Sequence, residues 1–370
     1  MNHYPSNVKE KLNSIILSMA EHHWLFSKNP GHDFTRQHLG KLSFYDTMRL
    51  IISMGKGSTN DEIMDYFDLD PDLIPSQSAF CQRRRQISLS AFEYLFSEFS
   101  SSFPSTTDKF KDHCILACDG CHVVYATNSD IIEDYNKPRL IDYKGYNHMH
   151  LNGFVDVISK AFLDVVIQPG QQPDEREALH SMLDHFTPDD PQKYIITADR
   201  GYESYDLLFH CEFKNLGYVF RVKSPSSPKS ILSYYASELP DDLEEFDVTI
   251  KRFFTDKATN IMKSQSDVYR YINPSKNTPH FYELLRKKHS HLYFLQFRVV
   301  KIKTAENTYE YLITNLPFSF TLDDIRECYH WRWGIEISFR YLKHAAGLLY
   351  FHSKQPEFLK QEIYSRLILY

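Results

Sequence analysis

The stretch from Tyr329 to Lys343, YHWRWGIEISFRYLK, constrains this chain more than any other part of the sequence. It contains no proline and one glycine, Gly334, and its apolar residues recur at helical spacing, which predicts one helix of about four turns. At about 100° per residue, four polar side chains fall on one narrow face: Tyr329, Arg332, Glu336 and Lys343. An apolar stripe beside that face is predicted to anchor the helix: Cys328, Trp331, Ile335, Phe339 and Leu342.

The residues alone leave two interpretations of this helix open. Any amphipathic helix has a polar face, so the four side chains could simply be solvated. A carboxylate with an arginine and a lysine within two turns can instead hold a divalent metal ion while the cations bind phosphates, a grouping that phosphoryl transfer needs. What surrounds Glu336 in the fold decides between them.

The composition is that of a globular protein with a large core. The chain has 370 residues, 42% of them hydrophobic, which is enough for two or three domains. It contains no run of about 18 apolar residues, and its N-terminus is too polar for a signal peptide, so we expect a cytoplasmic protein with no membrane partner. Six cysteines in a chain of this length fit a reducing compartment better than a disulfide framework.

Charge is distributed unevenly along the chain. The net charge is −6, yet the segment Thr249–Lys303 has twelve Lys and Arg residues against three acidic ones, a local charge of +9, so the other residues carry −15. Such asymmetry is typical of a surface that binds a polyanion. The segment is rich in strand-like runs and precedes the helix that bears Glu336. We therefore predict a basic, β-rich insertion that contacts nucleic-acid backbone, in particular through Arg286, Lys287 and Lys288.

The first 110 residues are predicted to be helical. One helix candidate runs from Ser43 to Met54, and a later one carries three consecutive arginines, Arg83, Arg84 and Arg85. Short helices joined by polar turns, with an arginine cluster on the last, are typical of small nucleic-acid-binding modules. A helical bundle with a solvated basic corner explains the same residues equally well.

Beyond this helical region the pattern changes to that of a mixed α/β fold. The run CILACDGCHVVYAT predicts either one bulged strand or a hairpin with Asp119 at the break. Residues 150–170 predict two more strands. A helix, a strand over 194–197 that leads to Asp199, a second helix and a strand over 218–223 follow, and together these elements predict a mixed sheet flanked by helices.

Asp119 and Asp199 stand out because each is predicted at the end of an apolar strand, where a side chain reaches the open edge of a sheet. An aspartate in that position, close to a glycine, is most often a turn former. Joined to Glu336 on a helix with neighbouring cations, the two aspartates instead make a set of oxygen ligands suited to two hard divalent cations.

These residues resemble a DDE transposase of bacterial insertion sequences, in the insertion-sequence-four group. That group has a ribonuclease-H-like core and a helical Tyr-x2-Arg-x3-Glu-x6-Lys signature, which is matched without a gap by Tyr329, Arg332, Glu336 and Lys343. LACDG around Asp119 and TADRGY around Asp199 resemble the two aspartate motifs of the group, and the β-rich insertion has a counterpart there. The similarity spans roughly residues 36–370.

The resemblance implies an α/β fold with a ribonuclease-H-like catalytic core, a mixed sheet flanked by helices. It implies the catalytic core at 111–248 and 304–370, with the basic β-rich insertion at 249–303 within that core. The helical, candidate DNA-binding domain that the N-terminal residues predict occupies 1–110.

The resemblance also implies cut-and-paste transposition, in which hydrolysis at the transposon ends is followed by attack of the freed 3′-hydroxyl on target DNA. Two Mg²⁺ or Mn²⁺ ions about 4 Å apart would activate the attacking oxygen and stabilise the leaving one; their implied ligands are Asp119, Asp199 and Glu336. Arg332 and Lys343 would hold phosphates of the transposon end, and Tyr329 would hydrogen-bond to the same strand or stack on it.

The implied partners are double-stranded DNA, as terminal inverted repeats and as target, and a second protomer in a dimer on paired ends, at the bacterial nucleoid. The DNA backbone would be contacted also by Arg286, Lys287 and Lys288. Two alternatives remain open: a related metal-dependent nuclease that cuts without strand transfer, and an inactive DNA-binding remnant of a mobile element. Intact Asp119, Asp199 and Glu336 disfavour the remnant.

Two competing metal signals are weaker. Cys118 and Cys121 form a CxxC, but no second pair completes a zinc site and no helix follows as in redox motifs. His148 and His150 have no acidic residue near them in sequence and are interpreted as a polar strand edge.

The last residues, Leu367 to Tyr370, contain no polar stop or cap. We expect from the resemblance that further helix, used to assemble two protomers, follows in related chains. A chain ending here is therefore expected to keep its fold and its DNA contact while transposing poorly.

Overall fold

The computed structural model describes residues 4–35, 42–102, 109–138, 144–257, 259–273 and 278–370. In this part of the chain, five helices come before the first strand: α1 Tyr4–Glu21, α2 Phe44–Ser53, α3 Thr59–Tyr66, α4 Gln77–Gln86 and α5 Leu89–Ser101. The predicted helix from Ser43 is confirmed as α2, and Ser43 begins it with a capping box in which its side chain and that of Asp46 satisfy each other's backbone N–H groups.

Strands and helices then alternate: β1 Cys114–Tyr125, β2 Tyr135–Asn136, β3 Tyr146–Asp156, β4 Ala161–Pro169, α6 Glu175–His185, β5 Tyr194–Ala198, α7 Tyr205–Lys214 and β6 Gly217–Val222. A second group follows: β7 Phe246–Thr255, α8 Asn260–Ser264, β8 Tyr269–Tyr271, α9 Pro279–Lys287, β9 Leu292–Ala305 and β10 Thr308–Thr314. The described chain closes with α10 Leu322–Trp331, α11 Trp333–His344 and α12 Pro356–Leu369.

One mixed sheet joins the ten strands of the described residues. Its order is β2-β3-β1-β5-β6-β10-β9-β7-β8, and β4 pairs with β3. Strand β1 is antiparallel to β3 and parallel to β5, and β5 is parallel to β6. Strands β10, β9 and β7 continue the sheet as antiparallel neighbours. The mixed sheet flanked by helices that the sequence predicts is therefore confirmed.

Strand β1 runs straight through Asp119, so the predicted strand break at this residue is wrong. Asp119 pairs with Gly153, and the register with β3 continues without a shift from Leu116 to Tyr125. Only the parallel pairing with β5 stops, at Cys118 and Ala198. Continuous hydrogen bonding to β3 keeps the Asp-Gly pair extended, although the same pair would favour a turn in an isolated segment.

The predicted four-turn helix of the signature is two helices that meet at Arg332, which is a correction. Arg332 keeps right-handed helical dihedrals, but its N–H bonds to Tyr329 and its carbonyl accepts from Ile335, so three-residue spacings interrupt the α-helical ladder there. Gly334 allows a close approach to the end of β3, since a side-chain carbon at this position would lie 3.2 Å from Cβ of Val157.

The predicted apolar stripe of the signature is buried except for one residue. Cys328, Ile335, Phe339 and Leu342 lie in the core, whereas Trp331 is 39% exposed. Trp331 is the last residue of α10, at the point where the single predicted helix is interrupted.

Two hydrophobic clusters cover the two faces of the sheet. One contains side chains of α2, α5, α11 and α12 together with one face of β1, and the other contains those of α6, α7 and α9 with the opposite face. The N-terminal helices thus share a core with the sheet. Helix α12 belongs to the first cluster, and every residue from Gln361 to Ile368 is buried, including the polar Gln361, Glu362, Ser365 and Arg366.

The arginine cluster of α4 is not a uniformly solvated basic corner. Arg84 is buried and forms an ion pair with Glu362 of α12 at 2.9 Å. Arg83 stacks over Phe34, and Arg85 is exposed. The central arginine therefore joins α4 to α12 instead of presenting its charge to a ligand.

The basic segment is part of the same sheet, because residues 249 and 303 lie inside the paired strands β7 and β9. Much of its charge is neutralised by acids that precede it in sequence: Arg252 pairs with Glu238, Arg298 with Asp247, Lys301 with Asp241 and Lys303 with Glu244. The local charge of +9 therefore overstates the cationic surface that this segment presents.

None of the helices in the described ranges combines the length and the hydrophobicity needed to span a bilayer.

Candidate active site

The sheet places Asp119 and Asp199 side by side. The last register pair of β1 and β5 is Cys118 with Ala198. Asp119 is the next residue within β1, and Asp199 is the residue that directly follows β5. Their side chains are fixed by local bonds, because Asp119 Oδ1 accepts the N–H of Gly120 at 2.8 Å and Asp199 Oδ1 accepts that of Gly201 at 2.7 Å. The strand-end prediction thus holds for Asp199, while Asp119 reaches the same edge because β1 loses its β5 neighbour there.

Asp119 is in an environment that disfavours its charge. Burial raises its pKa to about 6, and the nearby carboxylates of Asp199 and Glu175 act in the same direction. The N–H of Gly120 and the guanidinium of Arg332 oppose this rise. Three carboxylates thus lie close together beside one cation, Arg332, and a bound metal ion would stabilise this arrangement.

Glu336 is connected to this edge through Arg332. Arg332 Nη2 lies 3.0 Å from Glu336 Oε1, and Nη1 lies 3.7 Å from Asp119 Oδ2. The arginine side chain is only 4% exposed and lies over the ring of Trp333. Arg332 therefore bridges Asp119 and Glu336, two residues that are 217 positions apart in the sequence.

The sequence interpretation missed a fourth acidic residue at this edge, Glu175. It opens α6, and its Oε1 lies 3.0 Å from Nε2 of His150 on β3. The site has room for this pair because residue 120 is glycine: a Cβ there would lie 2.2 Å from His150 Nε2 and 2.7 Å from Glu175 Oε1.

His150 therefore does have an acidic partner, contrary to the sequence interpretation. The order and direction of the strands could have predicted that Glu175 lies at this edge. Strand β4 runs in the direction of β1, since both are antiparallel to β3, so the acid-rich start of the following helix had to return to the edge that carries Asp119.

The structure does not present Tyr329 to solvent. Its side chain is buried, its hydroxyl has no hydrogen-bond partner, and burial raises its pKa. Lys343 is partly buried and lies near Cys121, where its charge opposes the rise of the cysteine pKa that burial causes. Cys121 is two residues beyond Asp119 on β1, so Lys343 borders the same edge.

Arg286, Lys287 and Lys288 are exposed but lie away from the carboxylates. The N-terminal ends of α7 and α9 meet where Asp206 accepts the N–H of His280, and the far ends meet where Lys287 lies over Phe213. Because α7 starts at the carboxylate edge and has ten residues, the three cations are about 15 Å further along the helix axis.

The CxxC pair does not form a metal or redox site. Cys118 packs in the cluster with α6 and α7, while Cys121 packs in the cluster with α11 and α12, so the two thiols lie on opposite faces of β1. The thiols of both are free, as are those of Cys81, Cys211 and Cys328.

Comparison with known families fits this geometry. Residues 110–370 match the family described as "Transposase DDE domain". Because this match covers well over half of the sequence, the chain belongs to that family. No curated protein sequence matches the chain.

Two solved structures of transposases are similar in outline. A piggyBac transposase synaptic complex with hairpin DNA superposes with a TM-score of 0.44 and 10% identity, over 87% of this chain and 62% of that chain. The Drosophila P element transposase strand transfer complex superposes with a TM-score of 0.28 and 12% identity, over 99% of this chain and 85% of that one. This chain thus spans 62% of the length of the piggyBac chain.

Proposed function

We propose that this protein is the transposase of a bacterial insertion sequence of the insertion-sequence-four group, and that it catalyses cut-and-paste transposition. The observation that carries the proposal is the meeting of Asp119, Asp199 and the Arg332–Glu336 pair at one edge of the sheet, in a chain of the transposase DDE domain family. Such an edge offers oxygen ligands for metal ions and cations for phosphates.

The catalytic core is proposed to be ribonuclease-H-like. The strand order β4-β3-β1-β5-β6, with three antiparallel strands followed by two parallel ones, supports this assignment. We propose 1–110 as the helical domain, 111–248 and 304–370 as the core and 249–303 as the insertion. The N-terminal helices and the insertion both pack against the core.

The residues at the edge fit hard divalent cations. Carboxylate oxygens are the ligands that Mg²⁺ and Mn²⁺ prefer. Burial is the main cause of the raised pKa of Asp119, and the carboxylates of Asp199 and Glu175 add to it, so a bound cation would stabilise the charged form of this group. Asp119, Asp199 and Glu336 would hold the ions, with Glu175 adjacent. Two bound ions would supply activation of the attacking oxygen and stabilisation of the leaving oxygen.

Arg332 and Lys343 are proposed to bind phosphates of the transposon end. In the present structure Arg332 is engaged by Asp119 and Glu336, so it becomes available to a phosphate once those carboxylates are neutralised. Tyr329 lies beside Arg332, 5.7 Å from ring centroid to guanidinium carbon. The signature suggests that Tyr329 contacts DNA directly. Because Tyr329 is buried, we propose instead that it helps to position Arg332.

The proposed partners are double-stranded DNA and a second protomer on paired ends, in the bacterial cytoplasm. Arg286, Lys287 and Lys288 are exposed and are proposed to contact DNA backbone at a distance from the reacting phosphate.

The test is a strand-transfer assay with duplexes that end in the inverted repeats flanking the gene, a target plasmid, and Mg²⁺ or Mn²⁺. We expect specific cleavage at the repeat ends and joined products with the wild type, and neither with Asp199→Asn or Glu336→Gln. Glu327→Gln removes an exposed carboxylate from the same helical region and serves as the matched control. Cleavage without joining would identify a nuclease, and binding without cleavage in the wild type would indicate an inactive remnant.

A further inference from the structure

Three histidines from three different helices form a cluster on the sheet face opposite α12. His180 belongs to α6, His210 to α7 and His280 to α9, and one potential ligand nitrogen of each lies within 4.8 Å of the others. The Nδ1 atoms of His180 and His210 are 2.9 Å apart. Among the histidine, cysteine and acidic side chains of the described residues, these three have ligand atoms close enough together to share one metal ion.

The cluster is almost closed to solvent. The side chains of His180, His210 and His280 are 12%, 0% and 11% exposed. Their rings stack at centroid distances of 3.8 to 5.1 Å. Nε2 of His210 is fully buried and makes no hydrogen bond, although Asp184 Oδ1 lies 3.2 Å away. Because Nε2 faces Asp184, the nitrogen of His210 that faces the neighbouring ring of His180 is Nδ1.

Each of the three imidazole rings has a carboxylate near one of its nitrogens. His280 Nδ1 lies 2.7 Å from Asp206 Oδ2, His180 Nε2 lies 3.6 Å from the same oxygen, and His210 Nε2 faces Asp184. Each imidazole thus has one nitrogen towards an acid and the other available for the cluster. Metal-bound histidines are typically held in this way, because the outer carboxylate fixes the tautomer and the ring orientation.

We propose that His180, His210 and His280 bind one transition-metal ion, with Zn²⁺ as the best fit, at a site separate from the catalytic carboxylates. The ligands would be Nδ1 of His180, Nδ1 of His210 and Nε2 of His280, with Asp206 and Asp184 as their outer partners. Imidazole nitrogens favour Zn²⁺ over Mg²⁺ or Mn²⁺, which prefer oxygen.

The required rearrangement is small. Tetrahedral Zn²⁺ with bonds of about 2.0–2.1 Å keeps its ligand atoms roughly 3.4 Å apart. The present spread of up to 4.8 Å closes by rotation of His180 and His280, whose side chains border the open pocket lined by Asp174, Arg176 and Gly201. That pocket also provides a path for the ion to enter.

The site would fix the basic segment relative to the catalytic edge. Helix α9 belongs to residues 249–303, whereas α6 begins with Glu175 and α7 follows the Asp199 loop. An ion bound to all three helices would therefore set the position of α9 against the two helices that leave the candidate active site. The role is structural, and it is independent of whether the protein transposes DNA.

The test measures Zn²⁺ directly. The full chain is stripped with a chelator, equilibrated with Zn²⁺ in the presence of excess Mg²⁺, and analysed for bound metal. We expect one equivalent in the wild type and in Asp119→Asn/Glu336→Gln, and loss of that equivalent in His180→Gln/His280→Gln. His185→Gln is the matched control, because His185 is an exposed histidine on α6 outside the cluster. Retention in the double histidine variant, or loss in the carboxylate variant, overturns the proposal.

A second measurement uses only the wild-type protein, so it does not depend on whether the histidine variant folds. Co²⁺ added to the stripped wild type should give the intense visible absorption of a tetrahedral site, and Zn²⁺ should displace it. Zn²⁺ should also raise the midpoint of thermal unfolding of the wild type and protect α9 from proteolysis. A weak six-coordinate Co²⁺ spectrum with no change in unfolding would show that the histidines stack without a metal. None of these measurements uses DNA, so their failure is distinguishable from failure of the proposed function.

Discussion

Arg332 lies 3.0 Å from Glu336, one turn away along the signature, and its other terminal nitrogen faces Asp119. The guanidinium is buried, whereas the Glu336 side chain is 40% exposed. When no metal ion is bound, Arg332 is thus the cation that links Asp119 to Glu336, two candidate catalytic residues that are far apart in the sequence.

Replacing Arg332 by alanine is expected to destabilise the metal-free protein by about 1–2 kcal/mol, since the mostly buried carboxylate of Asp119 loses its cation and the partner Glu336 is 40% exposed. Adding Mn²⁺ should reduce this deficit, because the ions neutralise the same carboxylates. Urea unfolding in chelator and in Mn²⁺ measures both values. Arg340→Ala, an exposed site on α11, is the control. A deficit that is identical with and without Mn²⁺ would contradict the shared role.

Glu175→Gln is expected to slow DNA cleavage by about 10–100-fold, the usual effect of losing an outer partner at a metal site. Its carboxylate hydrogen-bonds His150 and lies next to Asp119. The cleavage rate measured against Mn²⁺ concentration should show a higher metal requirement. Glu177→Gln, an exposed residue in the same first turn of α6, should behave as wild type. Equal rates for the two variants would remove Glu175 from the site.

Glu362→Gln is expected to destabilise the protein by about 3 kcal/mol at neutral pH, because Arg84 would remain buried without its counter-charge. Burial alone would raise the pKa of Glu362, but the hydrogen bonds from His352 and the charge of Arg84 outweigh it and lower the pKa below its ordinary 4.5. A lowered folded pKa means that the stabilisation is fully present above pH 4.5 and is lost as the pH falls through the folded value.

The difference in unfolding free energy between wild type and Glu362→Gln should accordingly shrink on acidification below 4.5. Denaturant unfolding at a series of pH values measures it. Glu357 lies on α12 with Glu362 and forms an exposed ion pair with Lys28. Glu357→Gln, which breaks that pair, should change stability by less than about 1 kcal/mol. A pH-independent difference would argue that packing, and not the charge, accounts for the loss.

Replacing Arg286, Lys287 and Lys288 together by glutamine is expected to weaken binding to all DNA sequences alike. The slope of log affinity against log salt should become shallower by about 0.9 for each phosphate that the protein no longer neutralises. The cleavage rate on saturating DNA should stay unchanged, because these cations lie at the far ends of α7 and α9. Lys303→Gln, whose charge is paired with Glu244, is the control, and an unchanged slope in the triple variant would place DNA elsewhere.

The sequence by itself determined the local elements and the chemistry of the key residues. Alternating and apolar runs predicted the strands and helices of the core, and the signature spacing singled out Arg332 and Glu336. These features are local, since hydrophobic periodicity and turn chemistry act over a few residues. They also singled out Asp119 and Asp199 as candidate metal ligands.

Only the tertiary structure decided how these residues meet and which charges are free. Pairing with β3 kept Asp119 inside a continuous strand, and the return of α6 to the same edge brought Glu175 to His150. Long-range ion pairs neutralised buried cations such as Arg84, which bonds to a helix 278 residues later in the sequence. The histidine cluster likewise joins three helices that sequence spacing does not connect. Such contacts depend on where the chain returns in space, and single-sequence patterns do not record that.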